Sequence, residues 1–474
     1  MAYDQISSVL LEGFKVLAIV YFTALNSSYL ILNIIAFRAL RIYTRQLKAL
    51  DFEDLISKAG APPLTLIAPG YNEEATCVEA VKSYLLLKYS EYEILFVNDG
   101  SSDNTLPRLT EAFDLLPSDR APTSNLHTAQ IRGIYRSQIQ PNFWVIDKEN
   151  GGKADALNVG INYCRTPLFC AMDSDSLLER DALIRVVRPF LEDSRTVAAG
   201  GIIRIANGCT VKFGTLTDIQ LPKNWLARFQ VLEYLRAFMA GRMSWDVMKL
   251  TLVISGAFGV FRRSTVVEAG GYKVDTVGED MELVVRLHRH CKSNKIPYRI
   301  AYVADPVAWT ECPESFRVLG RQRDRWQRGL FESLFRHRGM LFNPRFGRIG
   351  MIAYPYFFIF ELFGPLIELI GYITLVLAII LDRVSGPYLL AFFSASIIYG
   401  IALSTIAVAL EELSFRRYPH FTDLLRLFLL AILENFGYRQ INSYWRIKGF
   451  FSGIFGKSGW GKMERKGFST ETAA

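Results

Sequence analysis

"LTLIAPGYNEEATCVEAVKSYLLLK", residues 64–88, sets an apolar run ending in Gly70 against a stretch with helical spacing. The run is short and bounded by turn-forming residues, as expected of a buried strand. The same succession recurs. "EILFVNDG", "FWVID", "LFCAMDSD" and "VAAGGIIRI" are further strand candidates, most ending in Gly, Asp or Asn. "GKADALNVGINYC" and "ERDALIRVVRPFL" are helix candidates. This alternation between residues 62 and 340 predicts a mostly parallel, Rossmann-like α/β sheet with crossover helices. Ligands of such sheets bind beyond the carboxyl ends of the strands, where these polar endings fall.

The chain has 474 residues, half of them apolar, and a formal charge of +8. That length holds one large soluble domain and something more. The positive charge gathers in "RIYTRQLK", "RQRDRWQR" and "RHRGMLFNPRFGR", beside apolar stretches. Such clusters suit anionic headgroups or a polyanionic ligand. No nucleic-acid module is present, so nucleic acid is not an expected partner. None of the six cysteines forms a Cys-x-x-Cys pair, which argues against zinc and redox sites and for reduced thiols. "HRH" at residues 288–290 reads as a charged helix face.

Residues 16–37 form an uncharged run, and ~20 apolar residues span a bilayer. Arg38, Arg41, Arg45 and Lys48 follow at once, which puts that flank in the cytosol by the positive-inside bias. The run is long for a cleaved signal peptide, so an anchor is preferred. Residues 351–381 contain Pro355 and Pro365 and read as a broken or interfacial part followed by a helix from about 363. Residues 388–410 form a cleaner span, and residues 421–436, with three charged groups, leave spanning and interfacial placement open. The expected division is an anchor with its basic flank at 1–50, a cytosolic domain at 51–340, membrane helices at 341–445 and a basic tail at 446–474.

Six motifs carry the candidate chemistry. "APGYNEE" leaves a strand and opens a helix, and its glutamates also suit a helix N-terminus. "VNDGSSDNT" supplies Asp99 at a strand end, with Ser102 or Asp103 as a helix cap. "KENGGKADALN" joins Lys148, the Gly151-Gly152 pair and Lys153; diglycine permits close backbone approach, and lysine offsets phosphate charge. It lacks the P-loop pattern. "FCAMDSDSLL" sets Asp173 and Asp175 two positions apart, a turn if alone, a site for Mg²⁺ or Mn²⁺ in company. "TVGEDMELVVRLH" offers Glu279 and Asp280 at a helix start, as caps or as a general base. "RQRDRWQRGL" places Gln322 and Trp326 on one helical face with Arg325 beside them.

In this order the six motifs resemble the processive membrane glycosyltransferases of family 2, the cellulose, chitin, hyaluronan and poly-N-acetylglucosamine synthases, over about residues 62–340. The resemblance implies a cytosolic GT-A domain resting on a multi-pass bundle in the cell membrane, and an inverting, metal-dependent transfer from a UDP-sugar to a growing polysaccharide. It implies uridine contacts for Tyr71 and Asp99, Lys153 and Asp173 at the nucleotide and its phosphates, and Asp175 on the metal. Asp280 would be the catalytic base, with Glu279, Gln322, Arg325 and Trp326 at the diphosphate and acceptor. One departure is Gly278, where the family has Thr before Glu-Asp. Transfer of a single sugar to a lipid and a silent nucleotide-sugar scaffold are the other readings. Membrane lipids and export or accessory proteins would be further partners. Glu361 and Glu368, inside an apolar run, are expected to face a protein interior or a polymer path. Sugar selectivity is expected in loops around "SGAFGVFRR" and "AWTECPES".

Overall fold

Strands buried on both faces need helices on both faces, and the chain supplies them in alternation. The computed structural model describes residues 2–49, 60–174, 176–212, 215–418 and 420–456. Its strands are β1 (Leu64–Gly70), β2 (Tyr92–Asp99), β3 (Leu115–Pro117), β4 (Ile131–Ser137), β5 (Phe143–Lys148), β6 (Leu168–Met172), β7 (Leu177–Leu178), β8 (Thr196–Ile205), β9 (Thr210–Lys212), β10 (Thr215–Asp218), β11 (Phe258–Arg262) and β12 (Arg299–Thr310). Among the described residues, ten of these form one sheet in the order β3-β4-β5-β2-β1-β6-β11-β8-β12-β7; β9 and β10 form a separate pair. The block β5-β2-β1-β6 is parallel, and so is β8 with β12. The five strand candidates of the sequence all lie in this sheet, a GT-A-type α/β architecture.

Alternation along each strand sorts its side chains into two cores. Leu64, Leu66, Ala68, Ile94 and Phe96 point to one face; Ile67, Leu95 and Val97 point to the other. The crossover helix Cys77–Leu85 buries Cys77, Ala80, Val81 and Tyr84, the spacing of a single helical face. Helix Lys153–Tyr163 covers the second face, and Gly160 is what lets it approach: a Cβ there would stand 2.3 Å from Ile67.

Two expectations change. Phe258–Arg262, within the "SGAFGVFRR" segment, is a central strand, antiparallel to both β6 and β8. Ala308 to Thr310 likewise close β12, which leaves only residues 311–315 of the second segment as a connecting loop. His288 is buried, not part of a charged face. Its Nε2 lies 2.8 Å from the Thr251 carbonyl and its Nδ1 2.8 Å from the Tyr298 hydroxyl. A carbonyl only accepts, so Nε2 carries the proton and Nδ1 accepts. Burial lowers this imidazole to about 4. All six cysteines are buried and unpaired.

The membrane part begins with one helix, Ala2–Ala49, whose apolar stretch covers residues 9–47 and contains the expected run. Its far end reaches the sheet, where Ala36, Leu40 and Tyr43 join the first core and Tyr43 donates to Asp305 of β12. Residues 386–414 form a second helix long and apolar enough to cross a membrane. Ile349–Leu362 and Gly364–Ile380 are bent by 43° at the expected break and make a third span if taken as one. Helix Phe421–Leu433 buries Asp423 beside Arg426. Helix Tyr438–Ile454 then packs along helix Phe316–Arg336, so the expected division at 445/446 falls inside a helix. The tail "KSGWGKMERK" lies outside the described residues.

Candidate active site

The strand ends of β1, β2, β5 and β6 lie side by side because their pairing is parallel and in step. The loops leaving β1 and β2 are tied together: Asn72, at φ 56°, accepts from Ser102 N at 2.8 Å, and its own N–H reaches Ser101 Oγ at 2.9 Å. This leaves Tyr71 52% exposed over the cleft. Asp103, not Ser102, serves the next helix, accepting from Thr105 N at 3.0 Å.

Asp99 is buried and fully engaged. Oδ1 accepts from Lys148 Nζ at 2.5 Å and Gly151 N at 3.0 Å; Oδ2 accepts from Gly152 N at 2.8 Å and Asn150 Nδ2 at 3.2 Å. A carboxylate has about four acceptor positions, so any base contact by Asp99 must share or displace one of these donors. The diglycine therefore has a local task beyond ligand approach. Gly152 needs glycine for its φ of +86°, and both amides hold Asp99. Lys148 has no exposed side-chain surface and also pairs with Asp155 at 2.7 Å. That buried cation ties β2 and β5 to the helix that carries Lys153.

Lys153 is the hub of the site. Its Nζ stands 2.5 Å from Asp173, 3.4 Å from Glu279 and 3.3 Å from the Gly256 carbonyl. Burial lowers this ammonium, but Asp173 and Glu279 outweigh it and hold it above the usual lysine range. Glu279 is buried, which raises it to about 7; Asp280 adds to the rise and Lys153 opposes it. Asp280 accepts from Gly256 N at 2.9 Å through Oδ2 and from Met281 N at 2.7 Å through Oδ1. The residue at the helix start is Gly278, so Asp280 serves the first turn without being its cap.

Gly278 explains the departure noted in the sequence. It packs backbone to backbone on Gly329 of helix Phe316–Arg336, and a Cβ at 278 would stand 2.7 Å from Gly329 Cα. Thr276 Oγ1 and Val277 N reinforce the contact by donating to Glu332 at 2.7 and 2.9 Å. The helix starting at Glu279 is thereby docked on the one bearing Gln322, Arg325 and Trp326. Gln322 is buried and its Oε1 has no hydrogen-bond partner among the described residues. Trp326 is 44% exposed and lies under Arg323 at 4.2 Å. Arg325 acts on Glu279 through its charge.

Asp173 leaves β6 with a third of its side chain exposed, while Asp175 lies outside the described residues. Its neighbour Ser174 donates to Glu73 at 3.2 Å, a link between two motifs that sequence spacing did not reveal. Carboxylate oxygens at a strand end suit a hard divalent cation. Among the described residues no three acidic, His or Cys side chains form a cage; a carboxylate such as Asp173 can serve an ion whose other ligands are water and phosphate oxygens.

A cavity of about 420 Å³ opens beside this site, between the sheet domain and the membrane helices. Thr251 to Val253 line it and lead directly into the Ser255-Gly256 turn that touches Asp280 and Lys153. Both Glu361 and Glu368 are on its wall. Glu361 accepts from Tyr29 at 2.7 Å and pairs with Arg446; Glu368 accepts from Ser443 at 2.5 Å and Tyr372 at 3.0 Å. The turn at residues 255–256 opens the "SGAFGVFRR" segment named from the sequence for selectivity, but its contacts with Asp280 and Lys153 were not foreseen. Its only sequence signal was a pair of small residues between apolar runs.

Two poly-β-1,6-N-acetyl-D-glucosamine synthases, from Staphylococcus aureus and Staphylococcus epidermidis, are each 29% identical to this chain. The first aligns over 274 residues, 58% of this chain and 56% of its own; the second over 267, 56% and 54%. The chain thus spans about half the length of the curated relatives it matches. A mannosyltransferase from Pyrobaculum calidifontis, solved with GDP-mannose and Mn²⁺, covers 88% of this chain and 99% of its own with a TM-score of 0.49 at 18% identity, too low to carry an argument. The family model described as "Glycosyltransferase like family 2" matches residues 62–329, which takes in all six motifs but the end of the last, and the chain belongs to that family.

Proposed function

We propose that the chain extends a β-linked polysaccharide, one sugar at a time, from a UDP-sugar, with inversion at the anomeric carbon. Its relatives in Staphylococcus make N-acetylglucosamine polymers, so UDP-N-acetylglucosamine is the first donor to offer. The observation behind this reading is that Lys153 gathers Asp173 and Glu279 while Asp280 bonds the same Gly256, next to a membrane-side cavity.

In this reading Tyr71 and the Asp99 loop receive the uridine, and Lys153 turns from its carboxylates toward the diphosphate. Asp173 would face the nucleotide and Asp175 would hold a divalent cation, which neutralises diphosphate charge when bound. Asp280 accepts the proton of the acceptor hydroxyl as that oxygen bonds to the anomeric carbon. The bond to the diphosphate breaks, and its electron pair leaves with UDP. Lys153 and Arg325 oppose the negative charge that develops there. Gln322 and Trp326 hold the acceptor sugar, Trp326 by stacking. The basic flank at residues 38–48 favours a multi-pass protein with its catalytic domain in the cytosol.

The test is purified protein in nanodiscs with Mg²⁺ or Mn²⁺, offered UDP-N-acetylglucosamine and UDP-glucose. UDP release with a long, glycosidase-sensitive product supports the reading. A lipid-extractable single-sugar product, or no turnover with any donor, overturns it.

A further inference from the structure

The helix that closes the cavity from the sheet side changes its winding along its length. It is α-helical over Trp225–Tyr234, π-helical over Leu235–Arg242 and α-helical again over Met243–Val247. Two other π-helical segments, Phe357–Leu362 and Ser394–Ile398, contribute Phe360, Glu361 and Ser396 to the same wall. π-Helical turns cost hydrogen-bond quality and occur mostly at functional sites.

Four arginines stand on this wall, and three are satisfied. Arg236 pairs with Glu434 at 2.5 Å, Arg439 with Glu434 at 3.4 Å and Arg446 with Glu361 at 3.4 Å. Arg242 differs. It has no carboxylate or hydrogen-bond partner among the described residues, and its guanidinium lies 3.9 Å above the Phe238 ring. Stacking holds the planar group in place and leaves its five N–H donors unspent. Asp280 acts on Arg242 through its charge. It shares the cavity with Thr251 to Val253, the strand of chain that leads to the Gly256–Asp280 contact. Neither the donor-side groups Tyr71, Asp99 and Asp173 nor Asp280, Gln322 and Trp326 line that wall; residues 251–256 connect the cavity to the site.

We propose that Arg242 is an acceptor-positioning residue, donating hydrogen bonds to ring-substituent oxygens of the last sugars of a neutral glycan held in the cavity. The inference rests on the polysaccharide reading above and assigns it a residue outside the six motifs. Arg236, Arg439 and Arg446 are already paired with Glu434 or Glu361, so Arg242 alone would meet a phosphate dianion, whereas neutral hydroxyl or amide oxygens need no further cation.

The experiment compares wild type with Arg242→Ala, Arg242→Gln and Arg242→Lys in nanodiscs, titrating a β-1,6-linked N-acetylglucosamine pentasaccharide against fixed UDP-N-acetylglucosamine. For Arg242→Ala the acceptor KM rises about tenfold or more, the size expected for a lost charged hydrogen bond, while the donor KM moves less than twofold. UDP release without transfer rises relative to transfer, and Arg242→Lys recovers part of the loss. UDP binding by calorimetry identifies variants that have folded; if Ala has not, Gln and Lys carry the test. Unchanged acceptor KM and uncoupled release in folded variants, with polymer still made by wild type, overturn the role of Arg242 alone. A wild type that makes no polymer, or transfers only to a lipid phosphate, overturns the polysaccharide reading and this inference with it.

Discussion

The two halves of the site satisfy their charges in opposite ways. On the donor side, Lys148 sits between Asp99 and Asp155, and every acceptor position of Asp99 is taken. On the membrane side, Arg242 rests on an aromatic ring with its donors unspent. The first half is built on strand ends whose register the sheet fixes. The second is built on helices, several with π-helical turns. On the function proposed above, a nucleotide presents the same groups at every cycle, so a rigid, pre-satisfied cradle suits it, and a glycan that advances is better met by donors left open.

The largest effect that would test this contrast is at the junction of the halves. Asp280→Asn should reduce sugar transfer by about 10²–10⁴-fold, the worth of a general base. UDP binding, measured by calorimetry, should stay close to wild type. Normal turnover would remove Asp280 from the mechanism and with it the boundary between the halves.

Next is the donor cradle itself. Lys148→Met leaves Asp99 and Asp155 buried without their cation, a loss of about 3–5 kcal/mol by the usual cost of breaking a buried pair. Thermal unfolding should show it, together with weaker UDP binding. A variant as stable as wild type would mean that the cradle is not pre-satisfied by Lys148.

A smaller loss is expected where the halves dock. Gly278→Thr installs the residue usual in the family, yet its Cβ must displace Gly329, and overpacking of this kind costs about 1–3 kcal/mol. Activity should fall more than stability, because the contact aligns Asp280 with Trp326. If the variant gains activity, the two helices are not held by this contact.

The smallest effect near neutral pH is a pH dependence at the loop joining the halves. Neutral His288 holds Thr251, which lines the cavity. Its folded value of about 4 lies below the ordinary 6.5, so the unfolded chain takes up the proton first. That stability is present above pH 6.5 and is lost as pH falls toward 4. Glu279, raised to about 7, acts with the opposite sign, its stabilising share being lost as pH rises from about 4.5 to 7. The measurement is therefore the difference in unfolding temperature between wild type and His288→Gln across that range. An unchanged difference would place His288 outside the acid response.

Strand runs such as residues 64–70 were legible because burial on both faces leaves a local, continuous apolar pattern. β12 was not, because Asp305 and Pro306 interrupt it. The strand shifts register there, and Asp305 is tied to Tyr43 of the first helix, some 260 positions away in sequence. β11 is short and holds Gly259, which makes room for Ile254; its strand character comes from β6 and β8 on either side.

For this chain the sequence alone determined the α/β alternation, the apolar spans and the order of six motifs that marks the family, since each is written in neighbouring residues. Tertiary structure alone decided that Lys153 joins Asp173 to Glu279, that Gly278 must stay small against Gly329, and that Arg242 stands open on a cavity wall. These depend on which distant backbone comes within a few ångströms, and no local pattern records that distance.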